Sequence, residues 1–595
     1  MNTTRRVFLK TAMAAAVVRT GATAAAQRAG APDAFQIARR HSIVGNQPTP
    51  NFFEGMLLGN GDIGVCATTR PDALCLHLGK EDCWDIRVSE DHYPHVLHFN
   101  DLLKLWERAG EEAKRRGRPE MVHLESSIEF FREYTQKVAS SYRKPWPRPW
   151  PCGQVVVHWD ARTVRLVRQV LDPSNGLLTI ELGHGNLGET PGTRPAAAAP
   201  KRITVLCFVN WAAGHVLIYT REPAPFLSAA YYPNVDAEAR LPLPEVHTRA
   251  GDGFAEFSCY QHFPAMAPSE AAPEPPPSEQ DRNFALCGRL SGSWTPEARA
   301  ESQRPRAFFR SAGEQPFRLD LVLVTPRDHP DNVAHAQREA ARLTAVRAPE
   351  LQRQSEKHWK EFWSRSAVEF ADRELERIWY HNQYFLACCL RPGKVAPGLF
   401  GNWSSGRIGT AWHGDYHMNY NTQQVFWGVF SSNHVEQHLP YVELCENLLP
   451  LAESFAKEKF GLPGAFFPHS AYPVPSRTIP YPAPPWGYEI CETPWTVQSL
   501  WWHYLYTLDR DFLGRAYPLL RAATRFLVAY AKRGADGKYH LNPTVSPENW
   551  GFTVDARLNR DCIMDLALAQ FLLDTALEAS NLLGADREER EKWAE

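Results

Sequence analysis

An excess of charge of either sign is missing from this 595-residue chain: 65 Lys and Arg face 67 Asp and Glu, a formal net charge of −2. That balance argues against a general nucleic-acid binder, which needs a basic excess to displace counterions from phosphates. No apolar run reaches the roughly 20 residues that cross a bilayer, so no membrane span is expected once the leader described below is removed. The 12 Cys are scattered, only Cys388 and Cys389 lie close together, and no Cys-x-x-Cys occurs. Neither a zinc knuckle nor a thioredoxin-like site is supported, and buried free thiols are expected, with a few disulfides left open. What the chain does have is 44% hydrophobic and 22% charged residues, ordinary for a globular protein, together with 19 Trp and 47 Pro. Sugar rings stack on flat aromatic faces, so this composition suits a carbohydrate-handling protein, and a large enzyme with many loops equally well.

The first 26 residues read as an address. Thr4, Arg5, Arg6, Val7, Phe8, Leu9 and Lys10 form a twin-arginine pattern, Thr11 to Val18 are weakly apolar, and Ala24-Ala25-Ala26 offers small residues for a signal peptidase. Folding in the cytoplasm followed by export to the periplasm or beyond is the expected route.

Strands then dominate from about residue 40 to 330. Segments such as Val155 to Trp159, Ile203 to Asn210 and Phe317 to Thr325 are short, rich in β-branched and aromatic residues, and separated by turn formers. Phe317-Arg318-Leu319-Asp320-Leu321 alternates as a half-buried antiparallel strand does. A helical insertion is expected at about residues 101–140. The Pro-rich pieces Pro145 to Pro151, Pro191 to Pro200 and Pro264 to Pro277 are expected as surface loops. After Pro330 the period becomes helical, with a linker over 331–372 and repeated helices over 373–595. Strands followed by helices predict an α+β multidomain chain: an N-terminal antiparallel β-sandwich, then a helical domain. Long loops at Arg391 to Asn421, Gly461 to Thr493 and Gly534 to Asn559 carry Trp, His, Asn, Asp and Glu, where a site belongs.

Gly59-Asn60-Gly61-Asp62-Ile63-Gly64 is a literal G-x-G-x-x-G with Glu81 near the offset of a ribose-binding acid. A dinucleotide site needs a helix to start at the third glycine, whereas Val65 to Pro71 reads as a strand and a turn. A β-turn is predicted, with no dinucleotide and no other cofactor.

The stretch from Glu54 to Asp85 instead resembles the opening of glycoside hydrolase family 95, the α-L-fucosidase family. "FLACCLRPGKVAPGLFGNW" (Phe385 to Trp403), "WHGDYHMNYNTQQVFW" (Trp412 to Trp427) and "NPTVSPENW" (Asn542 to Trp550) resemble motifs of that family's catalytic domain, in consistent order. Departures at Gln424-Val425-Phe426, Asn542 and Thr544 bear on the substrate more than on the reaction type. The resemblance implies a super-sandwich followed by a toroid of twelve helices, (α/α)6. About six helices fall within Arg373 to Leu583, so an incomplete ring is expected. Apolar flanks such as those of Phe571 and Leu572 would then face water, at about 1.5–3 kcal/mol for each large side chain. By the same resemblance the general base, an aspartate, would lie beyond Glu595.

Glycoside cleavage needs a carboxylic acid to protonate the leaving oxygen and a base or nucleophile on the opposite face. Glu548 is the candidate acid, and Trp550 and Phe552 beside it are expected to desolvate it. Asn419 and Asn421, two apart on a supposed extended segment, match asparagines that orient the attacking water in the inverting mechanism of the resembled family. Amides are weak bases, so an aspartate partner is physically required. Two asparagines merely holding a loop is the bland alternative. His413, Asp415 and His417 alternate as metal ligands on a strand would, but no further ligand cluster accompanies them and no metal is expected. His417 matches a sugar-contacting histidine, and Asp415 and Asn549 join it as candidate substrate contacts. Trp412, Trp403 and Trp495 are candidate stacking walls, though a Trp in a helical domain is more often core. Glu492 either binds sugar or sits favourably at a helix N-terminus. An exported inverting hydrolase of α-L-fucosides or related α-L-glycosides is the leading expectation. The alternatives are another six-hairpin glycosidase, a phosphorylase, or a non-catalytic glycan-binding protein.

Overall fold

The computed structural model describes residues 33–86, 97–134, 147–185, 201–236, 241–264, 282–297, 304–473 and 486–595. The twin-arginine leader and the Pro-rich pieces at 191–200 and 265–277 lie outside these residues. Among them, no helix is long and apolar enough to cross a membrane, and all 12 Cys are buried and free.

Alternation along the strands builds two antiparallel sheets that share one core. The nine-stranded sheet runs, in spatial order, through Ile43–Gly45, Val164–Asp172, Leu177–His184, Lys201–Val209, His215–Ala224, Gln315–Val324, Arg282–Ser291, Phe254–Phe263 and Glu245–Gly251. The seven-stranded sheet runs through Trp294–Pro296, Ala307–Ser311, Phe226–Tyr232, Gln154–Trp159, Ala73–Lys80, Ile63–Arg70 and Met56–Gly59. Phe317, Leu319, Leu321 and Leu323 point into the core between the sheets. Their alternates are not solvated as the pattern suggested. Val322 and Val324 pack under Ala336, Ala340 and Leu343 of helix Asn332–Thr344, which covers the outer face. Asp320, also on that face, is held by His215 Nε2 at 2.9 Å and Arg318 Nε at 2.7 Å.

One Pro-rich piece departs from expectation. Arg148–Pro149 pairs with Trp84–Asp85, Trp150 N donates to Cys83 O at 2.8 Å, and the Trp150 ring is buried against Phe263. A two-residue bridge asks Pro149 for no N–H in its middle, so proline is no obstacle there.

The helical part packs in two layers. Helices Asn421–Ser431, Glu492–Thr507 and Ile563–Leu583 lie side by side, while Leu439–Phe455 and Arg510–Tyr530 pack behind them. Leu572 is buried in the helical core and Phe571 packs partly against it, contrary to the expectation that both would face water. Helix Ile563–Leu583 turns Leu568, Leu572, Ala576 and Ala579 inward instead, which leaves Ile563 79% exposed.

The glycine hairpin is where the two parts meet. Gly59 and Gly64 lie in paired strands, and the turn between them is closed by Asn60 Oδ1, which accepts from Ile63 N at 2.9 Å. Gly61 has φ 80°, and its N–H donates to Cys388 O at 2.7 Å. A Cβ on Gly61 would overlap Arg391, and one on Gly64 would overlap the Asn402 backbone. These glycines therefore serve close approach of the helical domain, not a pyrophosphate. Next to them Lys80, its side chain 1% exposed, pairs with Asp62 at 2.7 Å, Asp82 at 2.9 Å and Asp328 at 3.2 Å. Lys394 reaches across from the helical side to Asp62 at 2.8 Å and Asp328 at 2.6 Å. Removing one partner of a buried ion network strands the others. Lys80→Met should therefore lower stability by about 3–5 kcal/mol in urea unfolding, and a loss below about 1 kcal/mol would show that the network is not needed.

Candidate active site

The segment 410–421 is forced into an unusual path. Trp412 and His413 have φ of 50° and 57°, and Tyr420 has φ 147°. Such conformations cost non-glycine residues energy and persist only where surroundings impose them. The imposing partners are Tyr416–His417, paired with Ser470–Ala471, and Met418 N, which donates to His469 O at 2.8 Å. Asp415 Oδ1 meets His417 Nδ1, and Asp415 Oδ2 accepts from Ser470 Oγ at 2.6 Å, all buried. A carboxylate on Nδ1 fixes the ring's orientation. The His413-Asp415-His417 alternation is thus an orienting pair plus a half-buried third residue, not a shared ligand face.

The same geometry revises the asparagine pair. Asn419 is buried with Oδ1 unpartnered, whereas Asn421 is exposed as the first residue of a helix. The backbone turn at Tyr420 ends the extended run between them, so the two do not share a face. Trp495 is buried beside Leu568 and Met564 with its ring 6.1 Å from that of Tyr420, while Trp412 is 54% exposed and edge-on to His417. Trp403 lies elsewhere. Its Nε1 donates to Leu58 O at 2.9 Å and its ring meets Phe385, at the junction with the sandwich, so it packs the two parts together instead of walling a sugar.

Beneath Asp415 and His417 lies a group that sequence reasoning largely missed. His469 Nδ1 is 3.1 Å from Glu489 Oε2 and 2.9 Å from Glu492 Oε1, and its ring stands 5.2 Å from His417. Glu489, Glu492 and Asp565 are fully buried. Burial, reinforced by the Glu489 carboxylate, pushes the Glu492 carboxyl well above the usual range. Burial pushes Asp565 up to about 7, with a Thr544 contact opposing and Glu489 adding to the rise. Glu492 was recognisable, but Glu489, His469 and Asp565 were not. A lone acid in the apolar run Ile563 to Ala569 was the available signal, because an unpaired Asp on a buried helix face is rare.

Glu548 sits at the tip of the loop 542–559. Thr544 of that loop is buried beside Asp565 without a hydrogen bond between their side chains, and Thr544 N donates to Asn559 O at 2.7 Å. Asn549 Nδ2 donates to Ser546 Oγ at 2.8 Å, so Asn549 braces its own loop. Glu548 has φ 55° and is exposed. The expected desolvation by Trp550 and Phe552 is not met. Trp550 Nε1 donates to Leu558 O at 3.0 Å, and Phe552 is buried with its ring stacked 4.3 Å from Trp106. Glu548 and Asp415 thus belong to two loops that border one group of buried carboxyls, the first with Thr544 beside Asp565, the second with Ser470, next to His469, donating to Asp415.

Trp106 belongs to the insertion in the sandwich, whose helices Phe99–Arg115 and Ile128–Tyr134 lie against this loop. Trp106 Nε1 donates to Thr553 O at 2.7 Å, Leu124 N to Phe552 O at 3.0 Å, and Gly551 N to Val122 O at 3.1 Å. Phe552 N donates to Glu125 Oε2 at 3.0 Å, and Lys114 pairs with Asp555 at 2.7 Å. A Cβ at Gly551 would overlap the Glu125 carboxylate. The N-terminal half thus grips the loop that presents Glu548.

This two-part arrangement has relatives. Residues 333–595 match the family model of the glycosyl hydrolase family 95 catalytic domain. The helical part of the chain is thus similar to that family's catalytic domain. Alpha-L-fucosidase 2 of Arabidopsis thaliana is 29% identical over 216 residues, 35% of this chain and 25% of its own length. "Probable alpha-fucosidase A" of Aspergillus niger is 26% identical over 174 residues, 28% of this chain and 22% of its own length. The aligned stretches therefore span about a quarter of these relatives' length. A solved structure described as "Putative kojibiose phosphorylase from human microbiome" superposes with a TM-score of 0.54 at 10% identity, over 93% of this chain and 67% of that one. At that identity the likeness is one of fold. The insertion contact is directly testable. Trp106→Ala should cost about 3–5 kcal/mol and speed tryptic cleavage at Arg557 and Arg560 before global unfolding. An unchanged cleavage rate would show that the insertion does not hold the loop.

Proposed function

We propose that this chain is an exported inverting glycoside hydrolase that acts on α-L-fucosides or related α-L-glycosides of glycans, with Glu548 as general acid. The observation that supports this reading best is the group of buried carboxyls bordered by both the Glu548 loop and the Asp415–His417 pair, in a helical part similar to the family 95 catalytic domain. An inverting reaction needs an acid on one side of the sugar and a positioned water on the other. Glu548 is exposed at a loop tip in a strained backbone conformation, as a group that must reach a glycosidic oxygen would be. Asn419, buried with its carbonyl oxygen unpartnered, has an acceptor to offer the attacking water, and Asn421 at the helix start stands by. His417, oriented by Asp415, is placed to contact a sugar hydroxyl, with the exposed Trp412 as an apolar wall. Twin-arginine export follows from Arg5 and Arg6, and finding the chain in the periplasmic fraction checks that part.

A general acid matters most when the leaving group is poor. Glu548→Gln should lower kcat on a fucosylated oligosaccharide about 10²–10⁴-fold while sparing α-L-fucosyl fluoride, whose departing fluoride needs far less proton assistance. Unchanged turnover of the oligosaccharide by the variant removes Glu548 from the mechanism. Calorimetric binding of the sugar by the unaltered chain with no release of reducing ends would favour the non-catalytic, glycan-binding reading.

A further inference from the structure

We propose that His469 Nδ1, Glu489 and Glu492 form a binding site for one divalent transition-metal cation of the Mn²⁺ or Zn²⁺ class, with Asp565 beside it. The ligand atoms of these three residues all lie within 4.8 Å of one another, and all three residues are buried. Two of the separations, 3.1 and 2.9 Å from the imidazole nitrogen, are those of neighbouring ligands around a single ion with bonds of about 2.0–2.2 Å.

Charge gives the independent reason. Glu489, Glu492 and Asp565 place three carboxyl groups out of water, from three different places in the chain, the loop before helix Glu492–Thr507, its first residue, and helix Ile563–Leu583. Among the described residues, no lysine or arginine pairs with any of them, and the imidazole of His469 could balance only one charge. Apart from the His469 Nδ1 approach to Glu492 Oε1, both oxygens of Glu492, both of Asp565 and Glu489 Oε1 meet no hydrogen-bond partner. Buried polar atoms are otherwise satisfied, and buried charges are paired or hold metals. Asp415 does not help, because its oxygens already serve His417 and Ser470.

The donor set selects the ion. One imidazole nitrogen with carboxylate oxygens suits Mn²⁺ or Zn²⁺, whereas Ca²⁺ asks for six to eight oxygens. Glu492 then acts as a ligand and not as a sugar contact. The ion would brace the floor on which the segment 410–421 and the Glu548 loop stand. The inference does not depend on the glycosidase reading, since it involves none of Glu548, Asn419 and Asn421 and is read out as metal content.

The test uses the whole chain, stripped with a chelator, dialysed against Mn²⁺ or Zn²⁺ and then against metal-free buffer, with metal counted by mass spectrometry. About one ion per folded chain is expected. Glu489→Gln and Glu492→Gln should each lose it, and Asp565→Asn should weaken retention about tenfold or more. Circular dichroism reports whether each variant folds. Where a variant does not fold, the unaltered protein decides: bound Mn²⁺ should show nitrogen coupling from one histidine by pulsed electron paramagnetic resonance. No retained metal, metal retained equally by folded glutamine variants, or bound Mn²⁺ without nitrogen coupling would each overturn the proposal.

Discussion

Three carboxyl groups closed off from water, Glu489, Glu492 and Asp565, set the terms for everything around them. Leaving them ionised and alone in an apolar core is too costly, and Glu489 and Glu492 meet on His469 with Asp565 close by. Each belongs to an element that carries part of the site. Glu492 starts the central helix of the inner layer, Asp565 sits in the first turn of its neighbour, and His469 adjoins the strand that pairs with Tyr416–His417. The strained path of residues 412–420 and the Glu548 loop are two consequences of this gathering, seen from opposite sides.

The sandwich contributes more than a support. Its glycine hairpin lets the backbone at Cys388, Arg391 and Asn402 come close, and the Lys80 network fixes that approach through charge. Its insertion reaches the far end of the helical part, where Trp106, Leu124 and Glu125 take up backbone groups of residues 551–553 that would otherwise be unpaired. The Glu548 loop thus draws its shape from both halves of the chain. Truncating the sandwich would remove partners of the Glu548 loop as well as a neighbouring domain.

Much of the fold was legible, for simple reasons. Period-2 alternation in segments such as Phe317 to Thr325 and 3.6-residue stripes such as Leu519 to Tyr530 are local signals, and both sheets and helices follow them. The glycine hairpin was readable as a turn because no helix start follows Gly64. Burial between layers was less legible. Val322 and Val324 look solvent-facing until helix Asn332–Thr344 covers them, and Pro149 looks excluded from pairing until a two-residue bridge accepts it. At the site, residues in a recognisable string, Asp415, His417, Glu492 and Glu548, could be picked out, whereas His469, Glu489, Asp565 and Glu125 could not. Their significance comes from contacts between distant segments, which no spacing encodes. The Asn419–Asn421 pairing failed for a related reason: alternation assumes an extended backbone, and Tyr420 at φ 147° breaks it.

Hydrogen exchange in an Asp565→Ala chain tests most directly whether one buried floor supports both loops. The account predicts that peptides covering 412–423 and 542–556 lose protection together, while the sandwich strand Lys201–Val209 exchanges as before. Loss confined to 542–556, or no change in either, would contradict it and leave two unconnected loops.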